Sequence, residues 1–176
     1  MTPEQRHKNM AAIKGKDTKP EIIVRKYLWG QGFRYRLNHP RLPGKPDVVL
    51  LKYRTCIFIN GCFWHGHNTM LSSTEPISSD CCKIPKTNRE FWLKKILRNM
   101  ERDKEVQKKL ASMGWHCITI WECDLKGEKR LPTLRSLAYT LNHIFLENHR
   151  TLPYSFTEDS PMENAAEDAI DYNTNN

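Results

Sequence analysis

Residues 46–67 read PDVVLLKYRTCIFINGCFWHGH. Pro46 and Asp47 open a short apolar run, Val48 to Leu51, and Tyr53-Arg54 makes a turn. Cys56-Ile57-Phe58-Ile59 is a second apolar run. Apolar runs this short, rich in β-branched residues and bounded by turn residues, are either a hairpin or adjacent buried strands. The second run leads straight into Gly61-Cys62-Phe63-Trp64-His65-Gly66-His67, which holds one thiol, two imidazoles and two large aromatics. Chemistry of this kind sits at strand ends in α/β folds, and Asp47, Asn60 and Cys123 occupy such positions.

Outward from this stretch, the elements alternate. Thr18-Lys19-Pro20-Glu21 is a capping box with Pro in the first turn. It starts a helix through Ile22, Ile23, Tyr27 and Leu28 that stops at Gly30 or Gly32. Residues 68–82 read as a loop that ends on Cys81-Cys82. Thr87-Asn88-Arg89-Glu90 is a second capping box. It opens a long helix to about Met113, with Trp92, Leu93, Ile96, Leu97 and Met100 on one side and Lys94, Lys95, Arg98, Arg102 and Lys104 on the other. Gly114 ends it. Trp115 to Trp121 is a third strand, and Pro132 to Leu146 a last helix. Helix, strands, helix, strand and helix predict an α/β sandwich with a small mixed sheet.

Charge is unevenly spread over the 176 residues. All 28 Lys and Arg precede residue 151, while six of the 20 Asp and Glu follow it, so residues 1–150 carry a net +14. A body that basic favours a polyanion, of which phosphate backbone is the common one. The composition predicts three parts: a basic arm (1–17), a folded domain (18–150) and an acidic, disordered tail (151–176). No apolar run approaches the roughly 20 residues of a membrane helix, and Met1-Thr2-Pro3-Glu4 lacks the apolar core of a signal peptide. A cytoplasmic protein is expected, in which six cysteines are thiols or metal ligands rather than disulfides.

Zinc favours four Cys or His ligands in a tetrahedron. Cys62 and His67 supply two, Cys82 or Cys81 the third with Cys82 preferred, and Cys123 the fourth, giving a structural site. Cys56 and Cys117, both mid-strand, read as buried thiols. Asp47 at a strand start can hold Mg²⁺, which takes few protein ligands and keeps several waters. His65 is left to take the proton of an attacking water, unless it replaces His67 on zinc. Glu21 either orients His65, binds the ion through water, or only closes its capping box.

These residues carry a resemblance to a known family. His7-Lys8-Asn9-Met10-Ala11-Ala12-Ile13, Leu42-Pro43-Gly44-Lys45-Pro46-Asp47, Gly61 to His65, Pro85-Lys86-Thr87 with Glu90-Phe91-Trp92, and Gly114-Trp115 through Trp121-Glu122-Cys123 occur in order over about residues 5–130. In this the chain resembles the very-short-patch repair (Vsr) DNA mismatch endonucleases. The resemblance implies a restriction-endonuclease-like, three-layer sandwich with one structural zinc. It implies Mg²⁺ on Asp47 and the backbone carbonyl of Ile59, His65 as general base, and Glu21 as its support. It implies a nick 5′ to the thymine of a T·G mismatch that arises when 5-methylcytosine deaminates. Phe63 and Trp64 are then wedges beside the mismatch, Met10 enters from the other groove, and Lys8 and Lys14 belong to the DNA-contacting arm. The family pattern has Thr-His where this chain has Ile59-Asn60. A backbone ligand at Ile59 survives that change. Asn60 cannot shuttle a proton, but it can hydrogen-bond a phosphate oxygen or a metal-bound water. The resemblance also suggests a monomer working beside a cytosine-5 methyltransferase. The alternatives are a sequence-specific restriction-like nuclease and a non-catalytic, zinc-stabilised nucleic-acid-binding module.

Overall fold

A computed structural model of the chain describes residues 2, 4, 5, 8, 12, 15–69 and 80–150. Met10 and Lys14 of the basic arm, Ser72, Ser73, Ser78 and Ser79 of the loop, and the tail 151–176 lie outside the described residues. No described helix is long and apolar enough to cross a membrane.

Three strands make one mixed sheet: β1 (Val48–Leu50), β2 (Thr55–Asn60) and β3 (His116–Trp121), in that spatial order. β1 and β2 form the hairpin, antiparallel, with Val48 opposite Ile57 and Leu50 opposite Thr55. A single 3-10 turn, Leu51–Tyr53, links them, and Arg54 follows in the left-handed region at φ 45°. β3 runs parallel to β2, from His116 opposite Thr55 to Trp121 opposite Asn60. A parallel return needs a crossover connection, and the long helix α2 (Arg89–Ser112) supplies it. The flanking helices are α1 (Lys19–Gly30) and α3 (Arg130–Asn148).

The continuous apolar runs are explained by burial on both faces. Val48, Leu50, Ile57 and Ile120 pack with Val24 and Leu28 of α1 and with Leu134, Leu137 and Leu141 of α3. The alternate residues Val49 and Cys56 pack with Leu110 of α2, where Phe58, Val106 and Cys117 join them. Helices α1 and α3 therefore cover one face and α2 the other, which is the expected three-layer sandwich. Leucine, isoleucine and valine side chains buried this way contribute about 1.5–3 kcal/mol each.

Local signals set most of the boundaries. Thr18 caps α1, its hydroxyl accepting from the Glu21 N–H at 3.5 Å, and Gly32 at φ 86° lets the chain leave. The second capping box does not form. Asn88 stands before α2 in the left-handed region at φ 53° with no side-chain cap, and Glu90 pairs instead with Lys94 at 2.6 Å. Asn tolerates that conformation better than other L-residues, so the helix begins after it. Gly114, at φ 74°, turns the chain from α2 into β3.

Candidate active site and metal centre

The sheet's hairpin carries Asp47 and Asn60 to the same end, and α2 covers them from one side. Asp47 lies just before β1, and its Oδ2 accepts a hydrogen bond from the Ile59 N–H at 2.7 Å. Ile59 lies past the last β1 pairing, Val48 with Ile57. In an extended strand, one residue's N–H and C=O leave on the same edge. The Ile59 carbonyl therefore faces the Asp47 side and is not used by the β1 ladder.

Asp47, Ile59, Asn60, His65 and Glu21 line one cleft of about 540 Å³, together with Lys45, Arg102 and Asp103. All five residues that sequence reasoning selected thus meet at one place. Burial pushes the Asp47 carboxyl above its ordinary range; the Ile59 N–H opposes this and the negative charge of Glu21 adds to it. The Asp47 carboxylate in a half-buried cleft, with the Ile59 carbonyl beside it and the charge of Glu21 nearby, suits a hard divalent cation.

His65 is oriented by a residue that the sequence did not point to. Its Nδ1 lies 2.5 Å from Oδ2 of Asp103, a residue of α2. Glu21, expected to support His65, lines the same cleft but makes its own hydrogen bonds elsewhere. One Glu21 oxygen accepts from the Thr18 hydroxyl at 2.9 Å, and the other from the Asp17 N–H at 3.1 Å and Arg25 at 2.6 Å. Arg25 also pairs with Asp17. Glu21 is bound into its capping box and an ion pair, so its reach toward the cleft is electrostatic. The signal for Asp103 lies in the spacing of Ile96, Asn99, Asp103, Val106 and Leu110. They recur at alternating steps of three and four, the inward seam of a helix. An acid on a seam otherwise free of charge is a candidate for a buried partner.

A second cluster adjoins the cleft. Cys62, His67, Cys81 and Cys123 bring their ligand atoms within 4.8 Å of one another. From His67 Nδ1, the sulfurs of Cys62, Cys81 and Cys123 lie at 3.7, 3.3 and 3.3 Å. Tetrahedral zinc with bonds of about 2.3 Å to sulfur and about 2.0–2.1 Å to nitrogen separates S from N by about 3.6 Å. Three thiols and an imidazole at these separations fit zinc. Trp121 stacks on the His67 ring, 4.1 Å between centroids and 14° between planes, and fixes its plane. The group contains Cys81 and not the preferred Cys82, which is fully buried with its sulfur 3.8 Å from the Phe63 carbonyl oxygen. Burial, then the neighbouring Cys62, pushes the Cys123 thiol up to about 12 in the metal-free protein. Cys56 and Cys117 sit opposite one another on β2 and β3. Burial raises both thiols, Cys56 to about 12, and keeps them protonated and inert.

Aromatic side chains crowd the side of the metal cluster nearest α2. Phe63 meets Trp64 and Trp92 edge-on, each with 5.2 Å between ring centroids. Trp64 and Trp92 are 6.0 Å apart. All three remain half-buried, and Phe91 beside them is 57% exposed. A cluster serving only as core would be closed to solvent; this one is not. The Nζ of Lys95 lies 5.3 Å from the Trp64 ring centre and 5.4 Å from that of Trp92. Asn99 donates to the Trp64 carbonyl at 2.8 Å and holds the segment against α2. Lys8 is exposed.

A carboxylate-lined cleft at the strand ends of a three-layer α/β sandwich, beside a thiol–imidazole cluster, is the plan of a restriction-endonuclease-like nuclease. The family model of the DNA mismatch endonuclease Vsr matches residues 1–71, a span that takes in Asp47, Asn60, His65 and His67. The chain is 47% identical over 129 residues to the type II nicking enzyme V.NmeAIP of Neisseria meningitidis, covering 72% of this chain and 84% of that protein. It is 42% identical over 126 residues to the DNA mismatch endonuclease Vsr of Escherichia coli K12, covering 72% and 74%. It is likewise 42% identical over 126 residues to the type II nicking enzyme V.HpaIIP of Haemophilus parainfluenzae, covering 71% and 83%. The chain belongs to the Vsr family and is a DNA endonuclease.

Proposed function

We propose that the chain nicks one strand of duplex DNA on the 5′ side of the thymine in a T·G mismatch, the lesion left when 5-methylcytosine deaminates. The observation that carries this reading is the meeting of Asp47, the Ile59 backbone and the His65–Asp103 pair in one cleft, beside the open aromatic cluster of Phe63, Trp64 and Trp92. Names of similar proteins, a mismatch endonuclease and nicking enzymes, agree with it.

His65 is the base. A carboxylate on Nδ1 makes that nitrogen the N–H donor and leaves Nε2 to accept a proton. The oxygen of the attacking water bonds to phosphorus as its proton passes to Nε2. One bridging P–O ester bond of the strand breaks, and the released oxygen takes a proton from solvent to become a hydroxyl. Asp103 holds the ring and steadies the imidazolium that forms. Asp47 and the Ile59 carbonyl would hold Mg²⁺, which would supply charge to stabilise that developing on phosphate. Glu21 adds negative charge to the same pocket. Asn60, 8% exposed at the end of β2, hydrogen-bonds a phosphate oxygen or a metal-bound water. Phe63 and Trp64 wedge into the base stack, with Met10 from the arm entering the opposite groove and Lys8 and Lys14 neutralising phosphates. A wobble pair is already weakened, which lowers the few kcal/mol that unstacking costs. Cys62, His67, Cys81 and Cys123 would hold zinc, which would tie the wedge segment to the end of β3.

The chain acts as a monomer in the cytoplasm, functionally paired with a cytosine-5 methyltransferase. The test is an end-labelled duplex with one T·G mismatch, incubated with Mg²⁺ against its matched control. A single nick 5′ to the mismatched thymine is expected. Equal cleavage of both duplexes overturns the mismatch reading in favour of a sequence-specific nuclease. Binding without cleavage overturns the catalytic one.

A further inference from the structure

We propose that Arg102 grips a backbone phosphate adjacent to the one that is cut, and that Lys95, Arg98 and Arg102 form the track leading the strand from the aromatic cluster to the cleft. The proposal rests on the DNA-cleaving reading above and adds to it the residues that set where the nick falls.

Arg102 is the residue shared by two hollows. It lines the catalytic cleft beside Asp103 and Asp47, and it lines a neighbouring hollow of about 580 Å³ on α2 with Lys95 and Arg98. The three cations recur at i, i+3 and i+7, so they share one stripe of the helix. At one end Lys95 sits over the rings of Trp64 and Trp92. At the other Arg102 opens into the cleft. Seven residues of α-helix rise about 10.5 Å. One strand of B-DNA advances about 3.4 Å per phosphate. The stripe therefore spans about three nucleotides, and the cut falls within that distance of the step at which the aromatics stack.

A solvated helix face would look different. Glu101 and Glu105 line the same hollow, and Glu101 is three residues from Arg98 while Glu105 is three from Arg102. Both spacings allow ion pairs, and on the same helix Glu90 and Lys94 do form one. Among the described residues, no carboxylate lies within ion-pair distance of Lys95, Arg98 or Arg102. All three are exposed, and none is held in an ion pair among the described residues. Arginine beside a carboxylate-lined metal cleft suits a phosphate diester, whose oxygens it binds bidentately. Glu105, three residues beyond Arg102, ends the same stripe, and Glu101 lies beside it; the two acids bound the track.

The test separates this from a merely structural role. Short fluorescein-labelled duplexes with one T·G mismatch are made, each with one phosphate replaced by neutral methylphosphonate. Binding is measured without Mg²⁺ by anisotropy, for wild type, Arg102→Ala and Arg102→Lys. Wild type is expected to lose about ten-fold in affinity at one phosphate next to the nick site. Arg102→Ala is expected to be insensitive at that phosphate and to respond as wild type elsewhere, with its salt slope lower by about one. Arg102→Lys restores part of the response. Equal sensitivity of wild type and Arg102→Ala at every phosphate, or an unchanged salt slope, overturns the proposal, as does absence of duplex binding by wild type. Nicking is scored separately on the unmodified duplex. Wild type that follows the phosphate pattern yet cuts matched DNA equally overturns the mismatch reading and leaves Arg102 in place.

Discussion

His65 Nδ1 and Asp103 Oδ2 face each other at 2.5 Å, joining the segment after β2 to the middle of α2. The two are 38 residues apart in sequence. Their contact turns a ring on a loop into one held by a helix. Among the described residues, Nε2 has no partner, which leaves it for the water that attacks phosphorus. His65→Ala is expected to lower the nicking rate about 10²–10⁴-fold, the usual worth of a general base. Asp103→Asn keeps the shape and removes the charge, so about ten-fold or more of that loss is expected in kcat with duplex affinity unchanged. Single-turnover nicking and anisotropy together check this. Wild-type turnover by Asp103→Asn excludes the pair from the mechanism.

Asp47 gives a prediction about stability as well as activity. Its carboxyl titrates above the ordinary value of 3.8, with burial the largest cause. The folded protein thus holds this proton more tightly than the unfolded chain does. Stability contributed here is fully present below the unfolded pKa and falls as pH rises through the folded one. Asp47→Asn removes that penalty. In metal-free buffer its Tm is expected above that of wild type at neutral pH, with the gap closing as pH approaches 3.8. The same substitution abolishes Mg²⁺-dependent nicking. Thermal melts across pH, with chelator present, decide it; a variant less stable than wild type at neutral pH contradicts the account.

Strands and layers were legible in the sequence because their residues are buried on two faces. Val48, Val49 and Leu50 read as a continuous apolar run since alternate side chains meet α1 and α3 on one side and α2 on the other. Asp47, Asn60 and His65 were legible because they abut those runs. What lay beyond reach had physical reasons. Glu101-Arg102-Asp103-Lys104 reads as a charged, solvated turn, and Asp103 stands apart from the other three only when the inward seam of α2 is traced from Ile96 to Leu110. Thr87 looked like a helix cap, yet Asn88 takes a left-handed conformation that a residue pattern does not reveal. Cys81 and Cys82 are adjacent, so spacing alone cannot separate them.

The zinc prediction follows from that last point. Cys81→Ser is expected to lose stoichiometric zinc, because it removes one of four ligands gathered within 4.8 Å. Cys82→Ser is expected to keep it, at some cost for a hydroxyl in a fully buried position. Loss of a structural zinc removes several kcal/mol of folding energy. In a chain of this length each kcal/mol shifts Tm by about 2–4 °C, so a fall on the order of ten degrees is expected for Cys81→Ser. Metal analysis of the purified variants reads the result directly. Zinc retained by Cys81→Ser and lost by Cys82→Ser reverses the assignment.

Gly66 separates His65 from His67, and the catalytic base and the metal cluster both depend on its backbone. It adopts φ +62°, and a Cβ built there would stand 2.7 Å from Met100 Sδ and 2.8 Å from Ile96 Cγ2. Met100 can swing aside; Ile96 is fully buried and cannot. Gly66→Ala therefore adds the left-handed penalty of about 1–2 kcal/mol to an overpacking cost of about 1–3 kcal/mol. The expected outcome is a Tm lower by several degrees with zinc still bound. A lower nicking rate is also expected, since relief of the clash moves the segment off α2 and lengthens the contact from His65 to Asp103. Ile96→Leu, which takes the clashing Cγ2 methyl off Cβ at nearly constant volume, should restore part of both losses when combined with Gly66→Ala. If the double variant regains Tm but not rate, the fault lies in the backbone of the segment itself; if it regains neither, the close approach of α2 is not what positions His65.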